Sequence, residues 1–224
     1  MERLGEGTYK IAYRLNDERV IMLPNYEKKN IMMCWEHMVE GEVYMSQQLN
    51  KLGLLSLDNK KVILDGKLGY ISYSFEHLAK NHYYVIEKNE QGFNTWRGGL
   101  FKNVNEMRNI EKWREILRPL EKDIEIMFRY YISSFGDSLN FVLFPNYKCG
   151  YSVRYLGFDF TFERIKDYTL NYRDNNEFYD EDYKMYRDIL KTAIKYIVES
   201  EDFFKDGDSE INNIIAYVSE TIIN

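Results

Sequence analysis

Between Leu4 and Phe75 the apolar spacing changes from alternate residues to a helical repeat and back again. Tyr9, Ile11 and Tyr13 alternate with Lys10, Ala12 and Arg14, and a second apolar run, RVIML, follows the polar turn NDE. Residues 4–23 therefore read as two strands, broken after Leu23 by Pro24 and Asn25. From about Ile31 to Leu52 the positions Trp35, Met38, Val39, Met45, Leu49 and Leu52 recur at helical spacing, with Gly53 placed to end the helix. KKVILD and LGYISYSF, joined by a DGK turn, restore the strand pattern. The order is strand, strand, helix, strand, strand: a small sheet carrying one helix.

Beyond it the pattern is different. Residues 89–103 are polar and glycine-bearing and read as a loop or insertion. The segment 110–135 is helical but contains Pro119, which predicts two helices or one that restarts there. NFVLF and YSVRYLGFDFTF are short strand-like runs around the turn PNYKCG, and two helices fill the tail from about Glu181, separated by KDGD. The second half is mostly helical.

With 224 residues, 45% of them hydrophobic, the chain is one globular unit or two small lobes. A net charge of −6 argues against a nucleic-acid partner. No apolar run is long enough to span a bilayer, and the opening MERLGEG has no signal-peptide core, so no membrane partner is expected. Cys34 and Cys149 form no metal-type spacing, which makes a reducing cytoplasm the expected compartment. His37, His77 and His82 form no metal pair at helical spacing. The acidic stretch 172–188 lacks the glycine and glutamate positions of a calcium loop.

Four short stretches carry a resemblance. LGEGTYKIAY resembles the glycine-rich loop of protein kinases, G-x-G-x-x-G-x-V. Gly5 and Gly7 match, Lys10 stands at the third glycine and Ala12 at the valine. Such glycines let backbone N–H groups approach phosphates, although two glycines beside a strand also spell an ordinary hairpin. Glu42, in EVYMSQQLN, fits the helix glutamate that pairs with the family's strand lysine; Glu36 and Glu40 are neighbouring alternatives. FGDSLNFVLF resembles the catalytic loop H-R-D-x-x-x-x-N, without its histidine and arginine and with the aspartate and asparagine only three apart. YLGFDFTFE resembles the strand and D-F-G that hold the metal, Thr161 replacing the glycine. Asp159 is a lone acid among apolar residues, and a charge there is costly unless metal-bound or paired, for instance to Arg154 or Arg164.

The stretches occur in kinase order, and Asp137 and Asp159 flank a short hairpin as the family requires. The resemblance implies an α+β, bilobal protein kinase-like fold in a single domain. The small β-rich lobe would span about 1–78 and an abbreviated helical lobe about 79–224. It implies Mg2+ and ATP as cofactors, with Gly5, Glu6, Gly7 and Thr8 over the phosphates and Ser74, Phe75 and Glu76 near the adenine. Asp137 would orient the attacking hydroxyl, Asp159 would be the principal metal ligand, and Asn140 a second. No A-P-E motif follows Asp159, and no arginine precedes Asp137 to read a loop phosphate. In this the chain is similar to the minimal kinases of bacterial effectors and phages.

The family's strand lysine is missing: VIML stands where VAIK is expected, putting Met22, or Leu23 with a shift of one, at that position. Three explanations stay open. Lys10 lies where the with-no-lysine kinases place their catalytic lysine, so the cation is relocated. Alternatively the chain is a pseudokinase whose tyrosine-rich surface binds a partner. Alternatively methionine has replaced lysine as an inactivating substitution. Lys28 and Lys29 are further candidate cations past the strand. A protein hydroxyl is the expected acceptor. The Gly136–Asp137 pair also resembles the aminoglycoside phosphotransferases, which would make a small molecule the acceptor.

Overall fold

Asp65 and Gly66 both take positive φ (49° and 73°), the backbone of a two-residue primed turn, and they close the hairpin that the DGK triplet predicts. The strands on either side are β4 (Lys60–Leu64) and β5 (Lys67–Tyr73). They join β1 (Arg3–Glu6), β2 (Lys10–Arg14) and β3 (Arg19–Pro24) in an antiparallel sheet of order β1-β2-β3-β5-β4. The computed structural model describes residues 1–7, 9–26, 35–74, 77, 84–86, 98–130, 140–146, 150–156, 180–204 and 208–223. Within these, residues up to 77 form one compact unit and residues from 84 onward a second.

The sheet corrects one expectation. The first predicted strand is two strands, because the chain turns at Gly7, whose N–H donates to the Lys10 carbonyl at 2.8 Å. The glycines that mark the loop also end β1, so the order is three strands, helix, two strands. Helix α1 (Trp35–Lys51) lays Trp35 and Val39 on the sheet face carrying Tyr70, Met22 and Leu68. The Trp35 indole donates to the Leu68 carbonyl at 2.7 Å, which ties the start of the helix to β5. Gly53 ends it as expected: its φ of 77° lets Leu54 N–H reach back to the Leu49 carbonyl at 2.9 Å. A Cβ on Gly69 would collide with the Met22 carbonyl, so that glycine is required by the close approach of β5 to β3.

In the second unit, β6 (Tyr84–Ile86), β7 (Asn140–Asn146) and β8 (Gly150–Leu156) form an antiparallel sheet in that order. The β7–β8 hairpin matches the two predicted runs; β6, only three residues long, has no counterpart in the sequence reading. A short helix α2 (Val104–Met107) precedes α3 (Ile110–Arg129), and Asn103 and Asn109 cap them by accepting from the N–H groups of Glu106 and Lys112. α3 is one unbroken helix through Pro119, not two. Trp113, Ile116 and Leu117 before the proline and Leu120, Ile124 and Met127 after it are all fully buried. Each such side chain contributes roughly 1.5–3 kcal/mol, enough together to outweigh the ~3 kcal/mol a proline costs inside a helix. α3 packs on β8 and on α4 (Asp180–Glu199) and α5 (Ser209–Ile223), the two expected tail helices. Among the described residues no helix is long and apolar enough to cross a membrane.

Candidate functional site

The face of the first sheet that meets α1 also carries Lys10. Pairing sets Ala12 against Met22 and Met22 against Tyr70, so Lys10, Ala12, Met22 and Tyr70 share this face by strand alternation. Leu23, the alternative position for the missing lysine, points the other way. Met22, the position expected from the resemblance for the missing lysine, packs against Trp35, Val39 and Tyr70.

Lys10 brings a positive charge to this face two residues from Ala12, the partner of Met22. Its Nζ lies 3.2 Å from Glu42 Oε1 and donates to the Tyr70 hydroxyl at 3.0 Å. An ammonium has three N–H donors. Among the described residues the third has no partner, and the Lys10 side chain is 37% exposed against 16% for Glu42. Burial works to lower the Lys10 pKa, but the Glu42 charge and the Tyr70 hydroxyl outweigh it and hold the ammonium well above its ordinary range. Burial, then the Glu42 charge, push the Tyr70 hydroxyl up as well, so it stays protonated. The structure thus brings Lys10 and Glu42 together and separates Glu42 from its two alternatives. Glu40 pairs instead with Lys61 at 3.0 Å, both half-exposed, and Glu36 is exposed.

Glu42 is held from its other side by three residues that the sequence reading missed. Asn59 donates from Nδ2 to Glu42 Oε2 and to the Glu42 carbonyl, each at 3.3 Å. Ser72 donates to Asn59 Oδ1 at 2.6 Å, and Asn59 N–H donates to Ser46 Oγ at 2.9 Å. Ser46, Asn59 and Ser72 are buried. The only sequence signal for them was the alternation of Leu68, Tyr70 and Ser72 along β5, which sets two polar side chains on the helix-facing side.

Gly5 and Glu6 lie on the exposed strand β1, and Gly7 on the turn after it. Asn25, buried at the end of β3, donates from Nδ2 to the Gly7 carbonyl at 3.2 Å and fastens the turn. Neither glycine has a positive φ. A Cβ on Gly5 would meet nothing within 4 Å, and one on Gly7 would come no closer than 3.8 Å to the Lys10 carbonyl. The fold does not require glycine at either place, in contrast to Gly69. The Gly7 N–H is taken by the Lys10 carbonyl, so what the two glycines offer is space beside a cation whose spare N–H suits a phosphate oxygen.

Ser74 follows β5; its hydroxyl accepts from the His77 N–H at 3.0 Å, and its own N–H donates to the Glu18 carbonyl. Thr8, Lys28, Lys29, Phe75, Glu76, Asp137 and Asp159 lie outside the described residues. Asn140 is the first residue of β7. Arg154, considered as a partner for Asp159, makes a forked pair with Asp123 of α3, with contacts of 2.6, 3.0 and 3.2 Å.

The sequence matches no protein-family profile. It matches no curated protein. Among solved structures it is similar to a Helicobacter pylori proinflammatory kinase, CtkA, at a TM-score of 0.38 and 12% identity, over 99% of this chain and 91% of that one.

Proposed function

We propose that this chain is an ATP-dependent phosphotransferase of the protein kinase-like, bilobal type in which Lys10 replaces the missing strand lysine. The observation that carries the reading is the Lys10–Glu42 pair on the sheet face where Met22 stands at the usual lysine position. A lysine at 10 reaches the same helix glutamate from the neighbouring strand, one residue pair further along the sheet.

In this reading the spare Lys10 N–H receives a phosphate oxygen, Gly5 and Gly7 leave room for the phosphates, and Glu42 and Tyr70 aim the ammonium. Bound Mg-ATP supplies the phosphoryl group and the divalent charge. Asp159 and Asn140 are the candidate metal ligands and Asp137 the residue that orients the acceptor hydroxyl, all on their sequence resemblance. A hydroxyl of a protein substrate is the proposed acceptor.

Transfer from labelled Mg-ATP to a mixed protein substrate tests the reading, run with the parent chain, Lys10→Ala, Met22→Lys and the double variant. The parent is expected to transfer phosphate, and Lys10→Ala to lose on the order of 100-fold or more, the scale of deleting one preorganised charge-stabilising donor. The double variant is expected to recover part of that loss, because residues 10 and 22 share one face. Activity in Met22→Lys alone would make position 22 the lysine site and this chain a disabled enzyme. Absence of transfer in all four, with aminoglycosides also tried as acceptors, would favour a pseudokinase that binds a protein partner.

A further inference from the structure

We propose that Asn59, braced by Ser72, is a positioning residue that holds the Glu42 carboxylate toward Lys10. The inference rests on the phosphotransferase reading for its catalytic consequence but not for its geometry.

Glu42 lies midway along α1, where an unrestrained glutamate samples several rotamers. Here the two carboxylate oxygens face different donors, Oε1 the Lys10 ammonium and Oε2 the Asn59 amide, with the Tyr70 hydroxyl also bonded to the carboxylate. The same amide also bonds the Glu42 carbonyl, so it reads the helix backbone and the side chain together. The acceptor-only Glu42 oxygens fix which way the carboxamide points, and Ser72 braces its other end. With the Ser72 hydroxyl on Asn59 Oδ1, the NH2 group is turned to the carboxylate, and a flipped amide would set its oxygen against Glu42. The Asn59 N–H on Ser46 then ties the residue to α1 one turn further on.

Stability does not call for this arrangement. A buried amide and hydroxyl gain little over apolar groups of the same shape, because their hydrogen bonds mainly replace those lost to water. The chain Ser72, Asn59, Glu42, Lys10 runs instead from a buried strand residue to an ammonium with an N–H left over. That direction suits the orientation of a charged group better than the filling of a core.

The test reads Lys10 directly and needs no nucleotide. The pH dependence of Lys10 acetylation is followed by mass spectrometry in the parent, Glu42→Gln, Asn59→Leu and Ser72→Ala, alongside kcat and KM for Mg-ATP. Glu42→Gln gives the profile of an unpaired Lys10. Asn59→Leu is expected to move most of the way to that profile, acetylating Lys10 several-fold faster near pH 8, and Ser72→Ala to move a smaller distance the same way. On the phosphotransferase reading kcat falls on the order of 10- to 100-fold in Asn59→Leu, the cost of misplacing a catalytic group. A Lys10 profile in folded Asn59→Leu that overlays the parent's, while Glu42→Gln moves, overturns the proposal. If Asn59→Leu does not fold, a Ser72→Ala profile identical to the parent's does the same. Shifted profiles with no transfer by any variant, the parent included, would uphold Asn59 as the positioning residue and count against the phosphotransferase reading.

Discussion

The Asp123–Arg154 and Lys10–Glu42 ion pairs, one in each unit, are made differently. Asp123 and Arg154 meet through three contacts between 2.6 and 3.2 Å, with the Asp123 side chain only 3% exposed. Lys10 and Glu42 meet through a single contact at 3.2 Å, and more than a third of the lysine side chain is open to solvent. The forked pair joins α3 to β8 inside a core and spends its geometry on that join. The single-point pair keeps an N–H and an open approach, which a ligand can use. Connectivity, more than burial, separates a pair that holds a fold together from one that can act on something else.

The largest expected effect breaks the forked pair. Asp123→Ala removes all three contacts of the fork at its buried end, and chemical denaturation should show a loss of about 3–5 kcal/mol. A loss below 1 kcal/mol would mean that the fork is not what stabilises the α3–β8 join.

A smaller effect concerns Glu201, a buried carboxylate that accepts the N–H groups of Gly99 and Leu100, both at 2.9 Å. Burial pushes its pKa up against the lowering effect of those amides. A carboxyl with a raised folded pKa takes its proton in the folded state first, so it adds stability as pH falls and loses it as pH rises through the folded value. The melting temperature of the parent, compared with that of Glu201→Gln, should therefore gain as pH drops from neutral toward the ordinary carboxylate range. An offset that stays constant or reverses would remove the burial argument.

The smallest stability effect belongs to the pair proposed to act. Lys10→Met should change unfolding free energy by about 1 kcal/mol or less, the usual worth of a solvent-screened pair. A cost matching that of Asp123→Ala would make Lys10 structural and erase the contrast.

Local chemistry made much of the first unit readable from sequence. Asp65–Gly66 and Gly53 each supply the positive φ that their turn and helix end require, and the strands around them followed. Pairing at a distance was not readable. β6 is three residues whose partner lies more than fifty positions on, and no alternation marks it. Pro119 was overweighted because the buried stripe that carries α3 past it is a tertiary fact. In the candidate site, Lys10 and Glu42 came from motif order, but choosing Glu42 over Glu36 and Glu40 depends on which helix face meets the sheet. For Asn59 and Ser72 the alternation along β5 was too little, since polar residues beside or within strands read as solvent-facing until the helix is laid on them.

The central claim, that Lys10 is the cation that meets phosphate, is tested most directly by acetylating the parent chain with and without saturating Mg-ATP and comparing every lysine by mass spectrometry. Strong protection of Lys10, with Lys60, Lys61 and Lys67 unchanged, is the predicted result. Equal acetylation of Lys10 in both samples, under conditions where nucleotide binding is independently measured, would contradict it.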